Sequence, residues 1–259
     1  MPGLRGGSTE PERIFRGSTE VEKVMRGSTE YWRKKPRGDL FLPYNTSMTE
    51  YKSEYAVNFS GTALNGSGIV SSDGKNAANF INYRQAVQGT GSSGGWYGSW
   101  FNGAVVSMWV RHNQTQTAGG KEIIHRVAAS SSTTEFYVSV DPAVGRLYAG
   151  LTWNGVWFDC WAPASGTMIN TNTWQHIAAG FQRGTSPNTT MTIFLWVNGV
   201  SVASGSKAGM GTSGTMDNFP LYIGGNRSGT SWRGMIDDLI VSDTFDATLP
   251  AKAYAAGRR

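Results

Sequence analysis

The stretch RLYAGLTWNGVWFDCW, Arg146–Trp161, places two runs of strand character on either side of a turn. Arg146–Leu151 and Val156–Trp161 are short and rich in aromatic and aliphatic residues, and Trp153 beside Asn154-Gly155 sits at the turn between them. Side chains alternate along an extended chain, so in Val156–Trp161 the small apolar pair Phe158 and Cys160 shares one face. Trp157, Asp159 and Trp161 share the other. The first face suits a core, which makes this segment a strand covering one side of a sheet and presenting a different chemistry on the far side.

The same pattern recurs in both directions from this segment. Strands are expected at Tyr55–Ser60, Asn79–Arg84, Ala104–His112, Lys121–Val127, Glu135–Val140, Trp174–Gln182, Met191–Asn198, Leu221–Ile223 and Gly234–Ser242, separated by Gly/Ser/Asn turns. No helical period competes over a long window, with a brief exception at Pro250–Ala256. The fold class is all-β: a two-sheet antiparallel jelly-roll sandwich, with a short N-terminal β-repeat anchor in front of it. Composition agrees. The chain has 259 residues, 39% of them hydrophobic and only 16% charged, with 34 Gly, 10 Trp, 10 Tyr and 11 Phe. Glycine supplies turn dihedrals, and aromatics fit half-buried pleated surfaces.

The anchor is a ten-residue repeat. Gly-Ser-Thr-Glu occurs at Gly7–Glu10, Gly17–Glu20 and Gly27–Glu30, and Ile14-Phe15 and Val24-Met25 each precede Arg-Gly-Ser-Thr-Glu. Each unit is long enough for one short strand and a turn, so successive units would form a two- or three-stranded meander. Such a sheet has no second layer on which to bury Ile14, Phe15, Val21, Val24, Met25, Tyr31 and Trp32. It needs a partner. After Trp32 a charged, Pro/Gly-bearing linker begins with Arg33-Lys34-Lys35-Pro36-Arg37-Gly38. The organisation expected is therefore an anchor over 1–35, a linker over 36–48, the jelly roll over 49–246 and a C-terminal tail over 247–259.

The single cysteine, Cys160, excludes an intramolecular disulfide framework and any cysteine-based zinc site. No basic segment followed by an apolar run opens the chain, and no stretch of about eighteen apolar residues occurs, so neither a classical export signal nor membrane insertion is expected. The net charge of +5 lies largely in the linker and in Arg258-Arg259, read as solvated linker and tail. No helix-turn-helix, finger or basic aromatic motif backs that charge, so nucleic acid is not an expected partner.

Two resemblances add to this reading. The repeat units resemble the short "hydrophobic pair, Arg/Leu-Gly-Ser-Thr, then Val-Trp" units near the ends of phage and prophage structural proteins, over roughly the first thirty-five residues. That resemblance implies a virion component docked or oligomerised through its N-terminus. The large domain contributes, in order, Tyr55-Ala-Val-Asn-Phe59-Ser-Gly61, Val105-Val-Ser-Met-Trp109-Val-Arg111, Lys121-Glu-Ile-Ile124, Trp174-Gln-His176-Ile-Ala178 and Leu195-Trp-Val-Asn198-Gly199. Leu221-Tyr-Ile-Gly224-Gly225 and Trp232-Arg-Gly234-Met-Ile-Asp237-Asp238-Leu-Ile-Val241 close the series. It resembles the laminin-G-like branch of the concanavalin A-like lectin/glucanase jelly rolls. That fold carries lectins, glycosidases, adhesion modules and spacers alike, so activity must be argued from the site.

A retaining glycosidase needs two carboxylates about 5–5.5 Å apart. The large domain's glutamates, Glu50, Glu54, Glu122 and Glu135, are scattered, and Asp237-Asp238, being adjacent, are expected on opposite faces with a structural role such as tying a turn. His112, His125 and His176 follow no metal-binding or nucleophile-base spacing, and His176 is expected to be a hydrogen-bonded structural residue. The chain is therefore expected not to be an enzyme. No cofactor is demanded. Calcium has loop-placed candidates in Asp73, Asp217 and Asn218, because the fold resembled often binds it through Asp/Asn oxygens.

The Trp157/Asp159/Trp161 face is a candidate carbohydrate platform, since indoles stack on the C–H faces of sugars while a carboxylate takes their hydroxyls. Trp153 at the turn joins it, and Asn226, Arg227 and Trp232 form a second candidate cluster. The Gly-rich aromatic segment Gly94–Trp100 is a third, as ligand rim or subunit contact. Packing of these indoles in the core is the alternative, and solvent exposure decides between them. The whole reads as a surface spike, fibre or adhesin of a phage or gene-transfer-agent particle. It would be located at the virion surface, homo-oligomeric, attached to other virion proteins through its repeat, and bound to host cell-surface glycan through the jelly roll. A purely structural capsid or tail decoration protein and a polysaccharide-degrading glycosidase are the rival readings.

Overall fold

The computed structural model describes residues 15–16, 19–20, 23–26, 29–33, 40–42, 44, 52–53, 57–60, 68–80, 85–89, 103–112, 121–127, 135–141, 144–164, 169, 172–184, 190–211, 221–225 and 232–258. The chain divides into two units, Met1–Arg37 and Gly38–Arg259. In the first, β1 (Phe15–Arg16) pairs with β2 (Thr19–Glu20) and β3 (Lys23–Arg26) with β4 (Thr29–Arg33), both antiparallel. Among the described residues the repeat forms two two-stranded pairings, β1 with β2 and β3 with β4. Of the expected anchor residues, Phe15 falls in β1, Val24 and Met25 in β3, and Tyr31 and Trp32 in β4; Ile14 and Val21 lie outside the described residues.

The second unit is the two-sheet antiparallel sandwich. Its strands are β5 (Leu40–Leu42), β6 (Lys52–Ser53), β7 (Val57–Ser60), β8 (Gly68–Ser72), β9 (Lys75–Phe80), β10 (Gln85–Gly89), β11 (Gly103–His112) and β12 (Lys121–Val127). They continue with β13 (Glu135–Asp141), β14 (Arg146–Trp153), β15 (Val156–Trp161), β16 (Gln175–Arg183), β17 (Met191–Val197), β18 (Val200–Lys207), β19 (Leu221–Ile223) and β20 (Gly234–Ser242). One sheet runs β15-β14-β13-β12-β19-β10-β7; the other runs β18-β17-β16-β11-β20-β5-β6, with β9 also paired to β20 and β8 to β9.

Period-two alternation builds the core between them. Phe136, Val138 and Val140 of β13, Leu147, Ala149, Leu151 and Trp153 of β14, and Phe158 and Cys160 of β15 face inward. Opposite them stand Ala104, Val106, Met108 and Val110 of β11, Ile177, Ala179 and Phe181 of β16, and Met191, Ile193, Leu195 and Val197 of β17. Rings join the two layers: Phe181 lies 5.3 Å from Phe136 and 6.2 Å from Trp153. Each fully buried side chain of this size is worth about 1.5–3 kcal/mol in removal from water.

In β20 the alternation is interrupted. Asp238 has φ 47° at a register shift against β11, so Ile236 and Leu239 both reach the core with two aspartates between them. This bulge removes the simple alternation that would set Asp237 and Asp238 on opposite faces. Both are buried, and Asp237 accepts the Asp238 backbone N–H at 2.9 Å.

The outer face of the larger sheet is covered. The helix α1 (Leu249–Ala256), an Ala-rich turn former with Pro250 in its first turn and Gly257 at its end, lays Leu249 against Val105 and Ile240 and stacks Tyr254 on Trp109 at 5.7 Å. Beneath it Ser107 Oγ hydrogen-bonds His176 Nε2 at 2.9 Å, with both residues buried. The tail then departs from its sequence reading. Arg258 is not solvated: its guanidinium donates to Asp237 Oδ2 at 3.2 Å and to the Ser72 carbonyl, and lies 4.2 Å from the Trp174 ring. A buried carboxylate without a counter-ion is a strong demand, and an arginine nine residues beyond the helix start meets it.

Burial pulls the His176 imidazole down to about 4 from its ordinary 6.5. Between those values the unfolded chain takes up a proton that the folded chain refuses, so this stability is complete above about pH 6.5 and is lost as pH falls toward about 4. At about 1.4 kcal/mol per unit the loss reaches about 3 kcal/mol. Asp237, pushed up to about 8 chiefly by burial and then by Asp238, has the opposite slope, so the difference between two proteins is the proper measure. His176→Gln, which can still hydrogen-bond Ser107, should lose markedly less stability than the wild type in urea unfolding between about pH 7 and pH 4.

Candidate functional site

The outer face of the smaller sheet has no such cover among the described residues, and its side chains form connected rows. Asp159 stands opposite Gly150, Gly150 opposite Tyr137, Tyr137 opposite His125, and His125 opposite Tyr222. One row along, Trp157 stands opposite Thr152 and Thr152 opposite Glu135; on the other side Trp161 faces Tyr148 and Tyr148 faces Ser139. Five strands thus contribute to one surface of aromatic and hydrogen-bonding groups.

Gly150 sets its geometry. A Cβ there would lie 2.2 Å from Tyr137 Cζ and 2.3 Å from its hydroxyl, so the tyrosine ring occupies the space that a side chain would need. Leaning across β14, the Tyr137 hydroxyl accepts the Trp157 indole N–H at 3.4 Å. Burial, partly offset by that hydrogen bond, pushes the phenol up to about 12, so it keeps its proton and can donate to a ligand.

The two indoles of β15 differ. Trp161 is held: Tyr148 stacks on it at 4.1 Å with planes 9° apart, the Arg146 guanidinium lies 5.2 Å from its ring, and its N–H donates to Asp159 Oδ2 at 2.5 Å. Arg146 is itself tied to the Ala162 carbonyl. Trp157 is 52% exposed, an unusual state for tryptophan on a sheet face. Held at its N–H but open to solvent, it is the surface on which a flat apolar group can settle.

The polar flank is Glu135. Its two oxygens accept Thr152 Oγ1 at 3.0 Å and His125 Nε2 at 3.2 Å, and the histidine hydrogen bond, opposed by burial, holds the carboxyl below its usual range. His125 must then carry its proton on Nε2. Glu135 and Asp141 of β13 and Asp159 of β15 are carboxylates of this face; Glu135 and Asp159 are two strands and two residues apart, which puts their Cα atoms about 12 Å from one another. They also turn to different partners.

The other sequence candidates separate clearly. Trp153 is fully buried: β14 runs on through it, so it continues the inward series Leu147, Ala149, Leu151, and the turn begins only at Asn154. Trp232 is also fully buried, in phase with Ile236's side of the sheet and 5.1 Å from the His112 ring. Neither can meet a ligand. Asn226, Arg227, Asp217, Asn218 and the Gly94–Trp100 segment lie outside the described residues. Asp73 pairs with Arg111 at 3.5 Å, and among the described residues no three His, Cys, Asp or Glu side chains converge as a metal set. Sequence reasoning missed Tyr137, Tyr148, Gly150, Thr152, Glu135 and His125. Alternation along β13 and β14 was the available signal, since Tyr137 and Tyr148 fall out of phase with the apolar residues around them.

A jelly roll with a helix on one outer face and, among the described residues, no cover on the other is the class that this architecture defines. Residues 99–245, more than half of the chain, match the laminin G-type family of the concanavalin A-like lectin/glucanases superfamily, and the chain belongs to that family. Among solved structures it is similar to the binding domain of Paraclostridial Mosquitocidal Protein 1 (TM-score 0.57, 14% identity, covering 84% of this chain and 52% of that one). The botulinum neurotoxin serotype G binding domain is similar at TM-score 0.57 and 16% identity, covering 85% and 51%. The botulinum neurotoxin DC binding domain in complex with SialylT is similar at TM-score 0.55 and 12% identity, covering 84% and 51%. The chain spans about half the length of these structures, and at such identities the likeness is one of fold. No curated protein sequence matches it.

The contrast between the indoles is measurable. Trp153→Ala should destabilise by about 3–5 kcal/mol as a core truncation, whereas Trp157→Ala should stay within about 1 kcal/mol. Gly150→Ala should cost about 1–3 kcal/mol by displacing Tyr137, and should shift the emission of Trp157. Urea titrations followed by fluorescence read both.

Proposed function

We propose that the large unit is a non-catalytic glycan-binding module that docks a sugar ring on Trp157, with Asp159, Tyr137 and Glu135 supplying hydrogen bonds around it. The observation that carries this reading is the half-exposed Trp157 on the edge strand β15, beside the β14–β15 turn and hydrogen-bonded to Tyr137 of the same sheet face. A purely structural sandwich has no need to leave that indole in water. The fold adds support, because similar solved structures include toxin binding domains, one of them in complex with SialylT. The different engagement of the two carboxylates, Glu135 with Thr152 and His125 and Asp159 with the Trp161 N–H, favours binding over hydrolysis.

In this reading the protein is a surface spike, fibre or adhesin of a phage or gene-transfer-agent particle. The N-terminal repeat joins it to other virion proteins and to further copies of itself, and the jelly roll takes host cell-surface polysaccharide. The motivation for the virion assignment is the repeat, whose units pair as short strands. No role is assigned to a metal.

Co-sedimentation of the purified protein with cells that carry or lack their surface polysaccharide tests the reading. Wild type should pellet only with polysaccharide-bearing cells, and Trp157→Ala should abolish pelleting while its circular dichroism is unchanged. Trp161→Ala should weaken it less directly, by loosening Asp159. Equal pelleting of wild type and Trp157→Ala would sink the platform.

A further inference from the structure

We infer that this platform takes an uncharged hexose-type sugar and rejects acidic ones, an inference that rests on the glycan reading above and sharpens it. The argument is the charge around Trp157. Asp159 is two residues along the same strand face, and Glu135 lies across Thr152 in Trp157's own row. Both are carboxylates, and Glu135 is kept ionised by its histidine partner. A sugar stacked on Trp157 is therefore bracketed by two negative groups.

The cations that might answer them are already engaged. Arg146 is held by the Ala162 carbonyl and lies against the Trp161 ring, on the far side of Asp159 from Trp157. His125 turns its Nε2 to Glu135. Among the described side chains of this face no other arginine, lysine or histidine is present to pair with a ligand carboxylate or phosphate. Planar bidentate arginine contacts are the usual means of holding such groups, and none is offered here.

What the face does offer is matched to hydroxyls. Asp159 accepts the Trp161 N–H through Oδ2, and its Oδ1 is the acceptor left for a sugar O–H. The Tyr137 hydroxyl, which accepts from Trp157, has its own proton to give. An acceptor and a donor beside an aromatic ring recognise a neutral pyranose, which presents adjacent hydroxyls and an apolar C–H face. A uronate, sialate or phosphorylated sugar meets like charge in the same position, with the penalty growing at low salt.

A panel of immobilised neutral gluco-, galacto- and manno-oligosaccharides, set beside the same chains oxidised at C6 to uronates, tests this with one group changed per pair. The full chain should bind at least one neutral probe, with its uronate counterpart at least tenfold weaker and the gap wider at low ionic strength. Asp159→Asn, which keeps an acceptor for the Trp161 N–H, should narrow that gap several-fold by gaining affinity for the uronate. Binding of uronates as tight as or tighter than their neutral partners, abolished by Trp157→Ala, would overturn the charge argument and leave the platform standing. Binding to neither class, with Trp157 emission unmoved, would overturn the glycan reading and this inference together.

Discussion

A pleated strand turns alternate side chains to opposite sides, so a sandwich that buries its two inner faces is left with two outer ones to dispose of. The rest of this structure follows from that constraint. The inner faces are filled by one continuous set of apolar residues from β11, β13, β14, β16 and β17. The larger sheet then has Val105, Trp109, Phe194, Trp196 and Ile240 on its other side, too apolar to leave in water. It resolves this by folding α1 back, with Leu249 and Tyr254 as contacts, and by packing the Phe245 ring against Phe194 (4.8 Å) and Trp196 (6.3 Å). Arg258 closes the far end on Asp237.

The smaller sheet resolves the same constraint differently. Its outer residues are amphipathic, and they satisfy one another: Thr152 and His125 on Glu135, Trp161 on Asp159, Trp157 on Tyr137, Tyr148 against Trp161. A face of this kind can remain open to water without a large apolar patch, and remain ordered enough to bind without first being organised. Gly150 is what permits it. Any side chain there would push Tyr137 off β14 and break the link to Trp157.

Much of the fold was legible because strands that line a core must carry apolar residues in phase. Lys121–Val127, Val156–Trp161, Leu221–Ile223 and Gly234–Ser242 have the same bounds in sequence and structure. Leu40–Leu42, placed in the linker by its charged and Pro/Gly surroundings, is an apolar strand paired to β20 with Leu42 in the core, while two other strands that were not expected lack that signature. Val200–Lys207 is a sheet-edge strand of Val, Ser, Ala, Gly and Lys with mostly exposed positions, and Gly68–Ser72 is another with little apolar content. Trp153 and Trp232 were misplaced for a related reason. Proximity to a turn suggests exposure, but each lies in phase with the inward residues of its sheet, and phase outweighs proximity. Arg258 gave no local signal at all, since its partner is fixed by a fold that brings residues 237, 72 and 174 to one place.

The candidate site was half visible for the same physical reason. Within one strand, alternation placed Trp157, Asp159 and Trp161 together, and the structure keeps them on one face. It could not say which indole would be engaged. That depends on Tyr148 and Arg146 from β14 and on Tyr137 from β13, residues brought alongside by pairing register. Once register is known, the two tryptophans divide the work: Trp161 is stacked, tied to Asp159 and so fixes the carboxylate, while Trp157 keeps one side open. A surface built this way offers a rigid ring and a positioned acceptor, and the charges bracketing Trp157 are negative. On the glycan reading proposed above, its selectivity would come from what those carboxylates repel as much as from what the indole attracts.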